Sequence, residues 1–146
     1  MALAAANATE RAQQMIALTT RLGERLVSDT ASLAARRPQD IYEGIEETRK
    51  LSNLYRHESM RIKADPGLLE GLSAADKKAL REATELFQER LHQYELAVNA
   101  AKAITEGIIN AVAEDLSSRR NQVSPYGAKG RTLDTGPQSL NFGKKA

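Results

Sequence analysis

The chain has 146 residues, enough for one domain with a core of its own, and contains neither Cys nor Trp. Twenty-one basic residues stand against nineteen acidic ones, a formal charge of +2, which is too nearly balanced to argue for nucleic acid or a membrane surface. Without Cys there is no disulfide scaffold, thiolate nucleophile or Cys-type zinc site, and no run approaches the roughly 20 apolar residues of a membrane span.

The apolar content is mostly Ala, Leu, Ile and Val set among Glu, Arg, Lys and Gln, the make-up of long helices. The opening "MALAAANATERAQQ" lacks the basic region and hydrophobic run of a secretory signal, so a cytoplasmic location is expected. From about 8 to 36, Met15, Leu18, Leu22, Leu26 and Leu33 recur at spacings of three, four and seven, one apolar stripe on a first helix. Pro38 in "ARRPQD" cannot continue that helix, and it marks either a kink or a hairpin.

A second helix is expected over about 39 to 63, with Ile41, Ile45, Thr48, Leu51, Tyr55 and Ile62 on one side and Glu46, Glu47, Arg49, Lys50, Arg56 and Arg61 mostly on the other. It stops at "ADPGLLEGLS", where Ser73 with Asp76 three residues on resembles a capping box for the next helix. From 74 to about 120 nothing interrupts. Leu80, Thr84, Phe87, Leu91, Tyr94, Val98, Ala101, Thr105, Ile108 and Val112 alternate fours and threes, the period of a coiled-coil or bundle seam. A helix of that length reaches on the order of 70 Å at about 1.5 Å per residue.

The predicted fold is therefore all-α, an elongated bundle of long antiparallel helices. Leu22, Leu91 and Val98 read as core. Toward the end of the third helix the seam grows shallow at Ala101 and Thr105, while Ile109 and Leu116 widen the apolar surface; another helix or a partner must cover it. Beyond 121 the composition shifts to Pro125, Gly127, Gly130, Gly136, Pro137 and Gly143 with Lys129, Arg131, Lys144 and Lys145. This separates a helical domain, 1 to 120, from a tail, 121 to 146, expected to be flexible. Tyr126, Leu133, Leu140 and Phe142 are spaced along the tail like anchors, which fits plain disorder and a segment that orders on a partner equally well.

Enzymatic chemistry finds little support. Glu89 and His92 form one Glu-x-x-His pair, but a di-metal bundle site needs two such pairs and further inward carboxylates, and both residues lie off the seam. His57 reads as an exposed helix residue. No phosphate-binding glycine loop precedes a helix, and no Ser/His/Asp arrangement is suggested. Arg36-Arg37 and Arg119-Arg120 sit where cations favour helix C-termini, and no DNA-reading motif is present. The pattern predicts no enzymatic activity, metal, cofactor, small-molecule substrate or nucleic acid.

The run "YELAVNAAKAITEGIINAVAEDL", 94 to 116, followed by the Tyr-Gly-x-x-Gly of "PYGAKG", resembles the C-terminal third of the FlgN family of flagellar type III export chaperones. The plan of two shorter helices, a Pro/Gly loop, one long helix and a tail is also similar. The resemblance implies a cytoplasmic chaperone that binds the C-terminal helical regions of hook-associated (hook-filament junction) proteins, prevents their premature assembly and delivers them to the export gate at the membrane. Carried over, it places cargo against Ile108, Ile109, Val112 and Leu116, singles out Asn99, Gly127 and Gly130, and makes Tyr126 a contact for the export machinery. The competing expectation is a structural coiled-coil adaptor or homo-oligomeric scaffold that completes its seam with a second copy.

Overall fold

A computed structural model describes the backbone of residues 4–127 and the side chains of residues 4–121. Three α-helices follow one another: α1 (Ala8–Ala34), α2 (Ile45–Ala64) and α3 (Ala74–Gly127), with short 3₁₀ segments at Pro38–Gly44 and Pro66–Leu69. The all-α bundle expected from the periodicity is what forms, and no strand occurs among the described residues. The chain divides into two compact units, Met1–Val98 and Asn99–Ala146. That division falls well before the shift in composition at 121.

Local chemistry sets the ends of α1. The Asn7 side chain accepts from the backbone N–H of Glu10 at 2.8 Å, and the Glu10 carboxylate accepts from the backbone N–H of Ala6 at 2.7 Å, so two N–H groups with no helical partner are satisfied. At the other end the Arg36 N–H bonds Leu33 O at 3.0 Å and the Arg37 N–H bonds Ser32 O at 2.8 Å. This is a Schellman closure, and it places Arg36 in the left-handed region at φ 61°. Arg37 then clamps Asp40 through two hydrogen bonds of 2.7 and 3.2 Å.

Pro38 opens a 3₁₀ turn, so the residues from 39 to 44 that the sequence assigned to the second helix belong to the connection, and α2 starts only at Ile45. Its fixed φ suits the first position of such a turn, and its missing N–H costs nothing there. Polar pairs settle the choice between kink and hairpin. Arg11 meets Glu58, Arg21 meets Glu47 at 2.8 Å, and Arg25 meets Thr48 at 3.2 Å. The start of α1 thus meets the later part of α2, and the middle of α1 meets the first turn of α2, which is an antiparallel hairpin. At its tip the Arg25 guanidinium lies so close to the Gly44 backbone that any β-carbon there would displace it.

The second connection behaves as the sequence indicates. Asp65 Oδ1 accepts from the Gly67 N–H at 3.1 Å, Gly71 turns the chain at φ 89°, and Ser73 Oγ accepts from the Asp76 N–H at 3.1 Å to start α3. Gly71 is the residue type that adopts this φ without a steric penalty.

The core of the first unit is the α1 stripe. Ala12, Met15, Leu18, Leu22 and Leu26 are buried, joined by Leu72 and Phe87. Around Leu22, Leu26 and Phe87 pack Leu51, Tyr55, Leu91 and Tyr94, and the Tyr55 and Phe87 rings meet with centroids 4.8 Å apart at a tilted 50°, a favoured arrangement for aromatic pairs. Burying each large aliphatic side chain in this way contributes about 1.5–3 kcal/mol. Leu22 is core as expected, and Leu91 is half-buried; Val98 remains 36% exposed, so the core contact ends before it. Arg90 lies against Gly23, and Tyr94 feels the charge of Asp29, so within this unit α3 runs parallel to α1 and antiparallel to α2.

Three charged groups are buried inside this apolar frame: Arg11, Asp29 and Glu58. Their spacing puts them in line with the apolar stripes, Arg11 four residues before Met15, Asp29 three after Leu26 and Glu58 three after Tyr55. Glu58, fully buried, is held by Arg11 Nη1 at 3.2 Å and Arg61 Nη1 at 3.1 Å, with His57 Nδ1 at 3.4 Å. A buried carboxylate persists only where cations and hydrogen bonds replace its water. Asp29 has Arg25 Nη2 at 3.6 Å; burial pushes its carboxyl above the usual range, and Arg25 offsets part of that rise.

Candidate functional site

Large apolar side chains are exposed singly across the first unit, for example Val27, Met60 and Leu86, and single exposures are ordinary on a protein surface. The second unit differs. None of its described side chains, 99 to 121, is buried. Five large aliphatic residues there stand open to solvent: Ile104 at 46%, Ile108 at 60%, Ile109 at 48%, Val112 at 54% and Leu116 at 46%.

Their spacing decides whether they form a surface. Ile104, Ile108, Val112 and Leu116 recur every four residues along α3, so each stands about one turn beyond the last, and Ile109 flanks them on one side. Ala101 and Ala113, both half-buried, border the same strip. The result is a continuous apolar face about four turns long. Covering it with a complementary surface would contribute roughly 1 kcal/mol per side chain, because about half of each is still in water. Contiguous exposure of this kind marks a contact surface.

Polar groups frame the strip. Lys102 precedes it, and Asp115 and Arg119 close it with an i,i+4 ion pair at 3.2 Å. Thr105, at the shallow point of the seam, donates its hydroxyl to Ala101 O at 3.0 Å, so its side chain presents its methyl without an unsatisfied donor. Gly107 has no side-chain or foreign backbone atom near where its β-carbon would sit.

Of the residues singled out in the sequence, Ile108, Ile109, Val112 and Leu116 come together on this face. Asn99 does not: it lies about two and a half turns before Ile108 and therefore points to the opposite side. Tyr126 and Gly127 were expected in a tail beginning at 121, but the backbone of α3 continues through Pro125 to Gly127. Gln122, Val123 and Ser124 tolerate a helix, and Pro125 so near the end sacrifices only one last-turn hydrogen bond. The side chain of Tyr126 lies outside the described residues, as do Gly130, Leu133, Leu140 and Phe142. Ile104 also belongs to this face and was omitted by the sequence reading, although its place four residues before Ile108 was a visible signal.

Elsewhere the geometry offers less. Glu89 and His92 are both exposed, and Glu89 accepts from Gln93 Nε2 at 3.1 Å. A cleft of about 370 Å³ on the first unit is lined by Leu69, Leu72 and Leu80 with Lys77 and Arg81 at its edge; those cations are exposed surface groups. In the Arg11–Glu58–Arg61 cluster the Glu58 side chain is wholly enclosed, and its cations already occupy it. No helix among the described residues is long and apolar enough to cross a membrane.

Comparison with known proteins places the chain. No protein-family model matches it, and no solved structure matches it. The flagellar basal-body protein FlbY of Caulobacter vibrioides is 41% identical over 135 residues, which span 92% of this chain and 91% of that relative. Identity at that level over nearly the full length of both chains leaves no room for a shared segment on otherwise different proteins: this chain belongs to the flagellar-associated family of FlbY.

Proposed function

We propose that the protein is a non-enzymatic export chaperone of the flagellum, acting in the cytoplasm. The open apolar face of α3, formed by Ile104, Ile108, Ile109, Val112 and Leu116, is the observation that carries this reading. An amphipathic helix from the C-terminal region of a hook-associated protein lies along that face in a helix-in-groove contact, and while bound it cannot join a growing filament. Tyr126, with Gly127 and Gly130 around it, then presents the loaded chaperone to the export gate at the membrane. Leu133, Leu140 and Phe142 add contacts that order on the cargo. A segment that folds as it binds spends part of the contact energy on ordering, which keeps the complex releasable.

The likeness to the FlgN family in the run from 94 to 116 supports this reading. So does membership of the family of a relative named as a flagellar protein. A second reading draws on the name of the relative, a basal-body protein: the same face completes a scaffold by pairing with other basal-body components or with further copies of the chain.

Affinity capture from motile cells separates the two, using the full chain, Ile109→Asp and Tyr126→Ala as baits. The chaperone reading expects hook-associated proteins with the full chain, their loss with Ile109→Asp at unchanged helicity, and their retention with Tyr126→Ala alongside loss of export-gate components. Capture of basal-body components or of the chain alone would replace it with the scaffold reading.

A further inference from the structure

The first unit carries a cation that nothing inside it answers. Arg90 is half-buried on α3 and laid across Gly23 of α1, where a β-carbon would stand 3.0 Å from Arg90 Nη1 and 3.1 Å from its Cδ. No acid is in reach on its own helix, because the residues three and four away are Leu86, Phe87, Gln93 and Tyr94. On α1, Glu24 and Asp29 are paired with Arg21 and Arg25. Among the described residues the Arg90 guanidinium has neither an ion-pair partner nor a hydrogen-bond acceptor. Arg36 and Arg81 share that lack, but both are exposed and keep their water.

Two residues therefore weaken the free chain at one place. A glycine inside a helix is less stable than alanine there, and a guanidinium partly out of water with no carboxylate bears a desolvation cost that nothing offsets. The stem of Arg90 covers Gly23, but any unbranched side chain would do so; the charged fork at its end has no task within the fold.

That fork opens on a cleft of about 270 Å³, with Val27 and Thr30 of α1 on one wall and Glu89, Arg90 and Gln93 of α3 on the other. The two helices run parallel with Gly23 level with Arg90, so Val27, 48% exposed, lies one turn beyond the cation and Leu86, 51% exposed, one turn before it. Neighbouring polar groups are already engaged. The Thr30 hydroxyl donates to Leu26 O at 2.7 Å, and Gln93 Nε2 donates to the exposed Glu89 carboxylate at 3.1 Å.

We infer that this groove receives a helix of another protein that presents a carboxylate between two apolar residues, one turn to either side of it. The carboxylate takes two N–H groups of the Arg90 fork, the planar pairing for which arginine is suited. The flanking apolar side chains cover Leu86 and Val27 and keep water from the pair. A groove between two parallel helices accepts a third helix along it. A symmetric contact between two copies of this chain would instead set cleft against cleft and fill neither. The site lies in a different unit from the open face of α3 and does not depend on cargo binding there.

The test uses the full chain and two synthetic helical peptides of about five turns, identical except that one has Glu and the other Gln between its two leucines. Occupancy is read from the NMR shifts of the Val27 and Leu86 methyl groups and the Arg90 Nε–H, which report on this groove and not on the open face. The Glu peptide is expected to bind roughly tenfold more tightly. Arg90→Met, which keeps an unbranched stem over Gly23, removes that preference, and Ile109→Asp on the open face leaves it intact. In thermal unfolding of the chain alone, Arg90→Met has a midpoint equal to the parent's or above it.

Equal affinity of the two peptides, no shift with either, or a preference that survives Arg90→Met overturns the inference. So does a lower midpoint for Arg90→Met, which would make the guanidinium part of the fold, or a dimer that Arg90→Met dissolves, which would put a second copy in the groove.

Discussion

The first unit and the second carry the same kind of apolar seam and use it in opposite ways. Between 80 and 94 the seam of α3 is closed by α1 and α2, with Phe87 only 4% exposed; between 101 and 116 it is open, with Ile108 60% exposed. Spacing alone cannot tell these halves apart. What differs is the size of the seam residues and the presence of a neighbour. Phe87, Leu91 and Tyr94 fill the space beside Leu22 and Leu26, whereas Ala101 and Thr105 leave a shallow track beside exposed isoleucines. A closed seam gives stability, and an open one leaves apolar surface in water.

The contrast breaks most directly at its two extremes. Phe87→Ala should cost about 3–5 kcal/mol in urea unfolding, since it removes the ring that joins all three helices. Ile108→Ala, an equally drastic truncation in the open half, should move the same curve by no more than about 0.5 kcal/mol. A comparable loss from both would mean that the open face is covered within the folded chain.

Next in size is the buried charge. Glu58→Gln leaves Arg11, with only 9% of its side chain exposed, without a counter-ion, and should cost about 3 kcal/mol. The double change Arg11→Met/Glu58→Met removes both desolvated charges and should recover most of that loss or exceed the parent. A double-mutant cycle by thermal unfolding measures the coupling.

Arg36→Gly works in the other direction. Arg36 holds φ 61° at the end of α1, a conformation that costs a residue with a β-carbon about 1 kcal/mol and glycine almost nothing. A rise of about 0.5–1 kcal/mol in stability is expected by urea unfolding.

The smallest effect is a slope. Burial raises the Asp29 carboxyl above its ordinary 3.8, so the folded state holds that proton more tightly than the unfolded state does. Stability from this group therefore falls as pH rises from the unfolded value through the raised folded one. Asp40 and Glu46, held down by hydrogen bonds from Arg37 and Arg49, act with the opposite sign, losing their small contribution as pH falls through their lowered values. Asp29→Asn should make the acid limb of a stability–pH curve rise more steeply with pH, because its opposing slope is gone; an unchanged limb would count against the burial of Asp29.

Most of the bundle could be read from spacing. Met15, Leu18, Leu22 and Leu26 are buried as their three–four pattern requires, and Ser73 caps α3 as its sequence signature indicates. The hairpin at Pro38 was legible only as a choice, because proline stops a helix without stating where the chain goes next; the Arg21–Glu47 and Arg11–Glu58 pairs make that choice, and they join residues far apart in sequence. The burial of Arg11, Asp29 and Glu58 was not legible for a related reason. A charge in a stripe is buried only where neighbours cover it, and for Arg11 and Glu58 the opposite charge comes from another helix. Of the candidate site, the isoleucines and Val112 were visible as an apolar run, while their exposure is a property of the folded chain that the run does not state.

One further property follows from the enclosed carboxylate of Glu58. Arg61 travels with it on the same helix, but Arg11 is supplied by the other arm of the hairpin. Sliding α2 by one turn, about 5.4 Å, would carry Glu58 away from Arg11 and leave that arginine facing apolar surface, while the leucine stripes could still find leucines at the shifted spacing. Oily stripes tolerate such slips; a single buried pair does not. Glu58 thus acts as an indexing pin, fixing which rung of one helix meets which rung of the other.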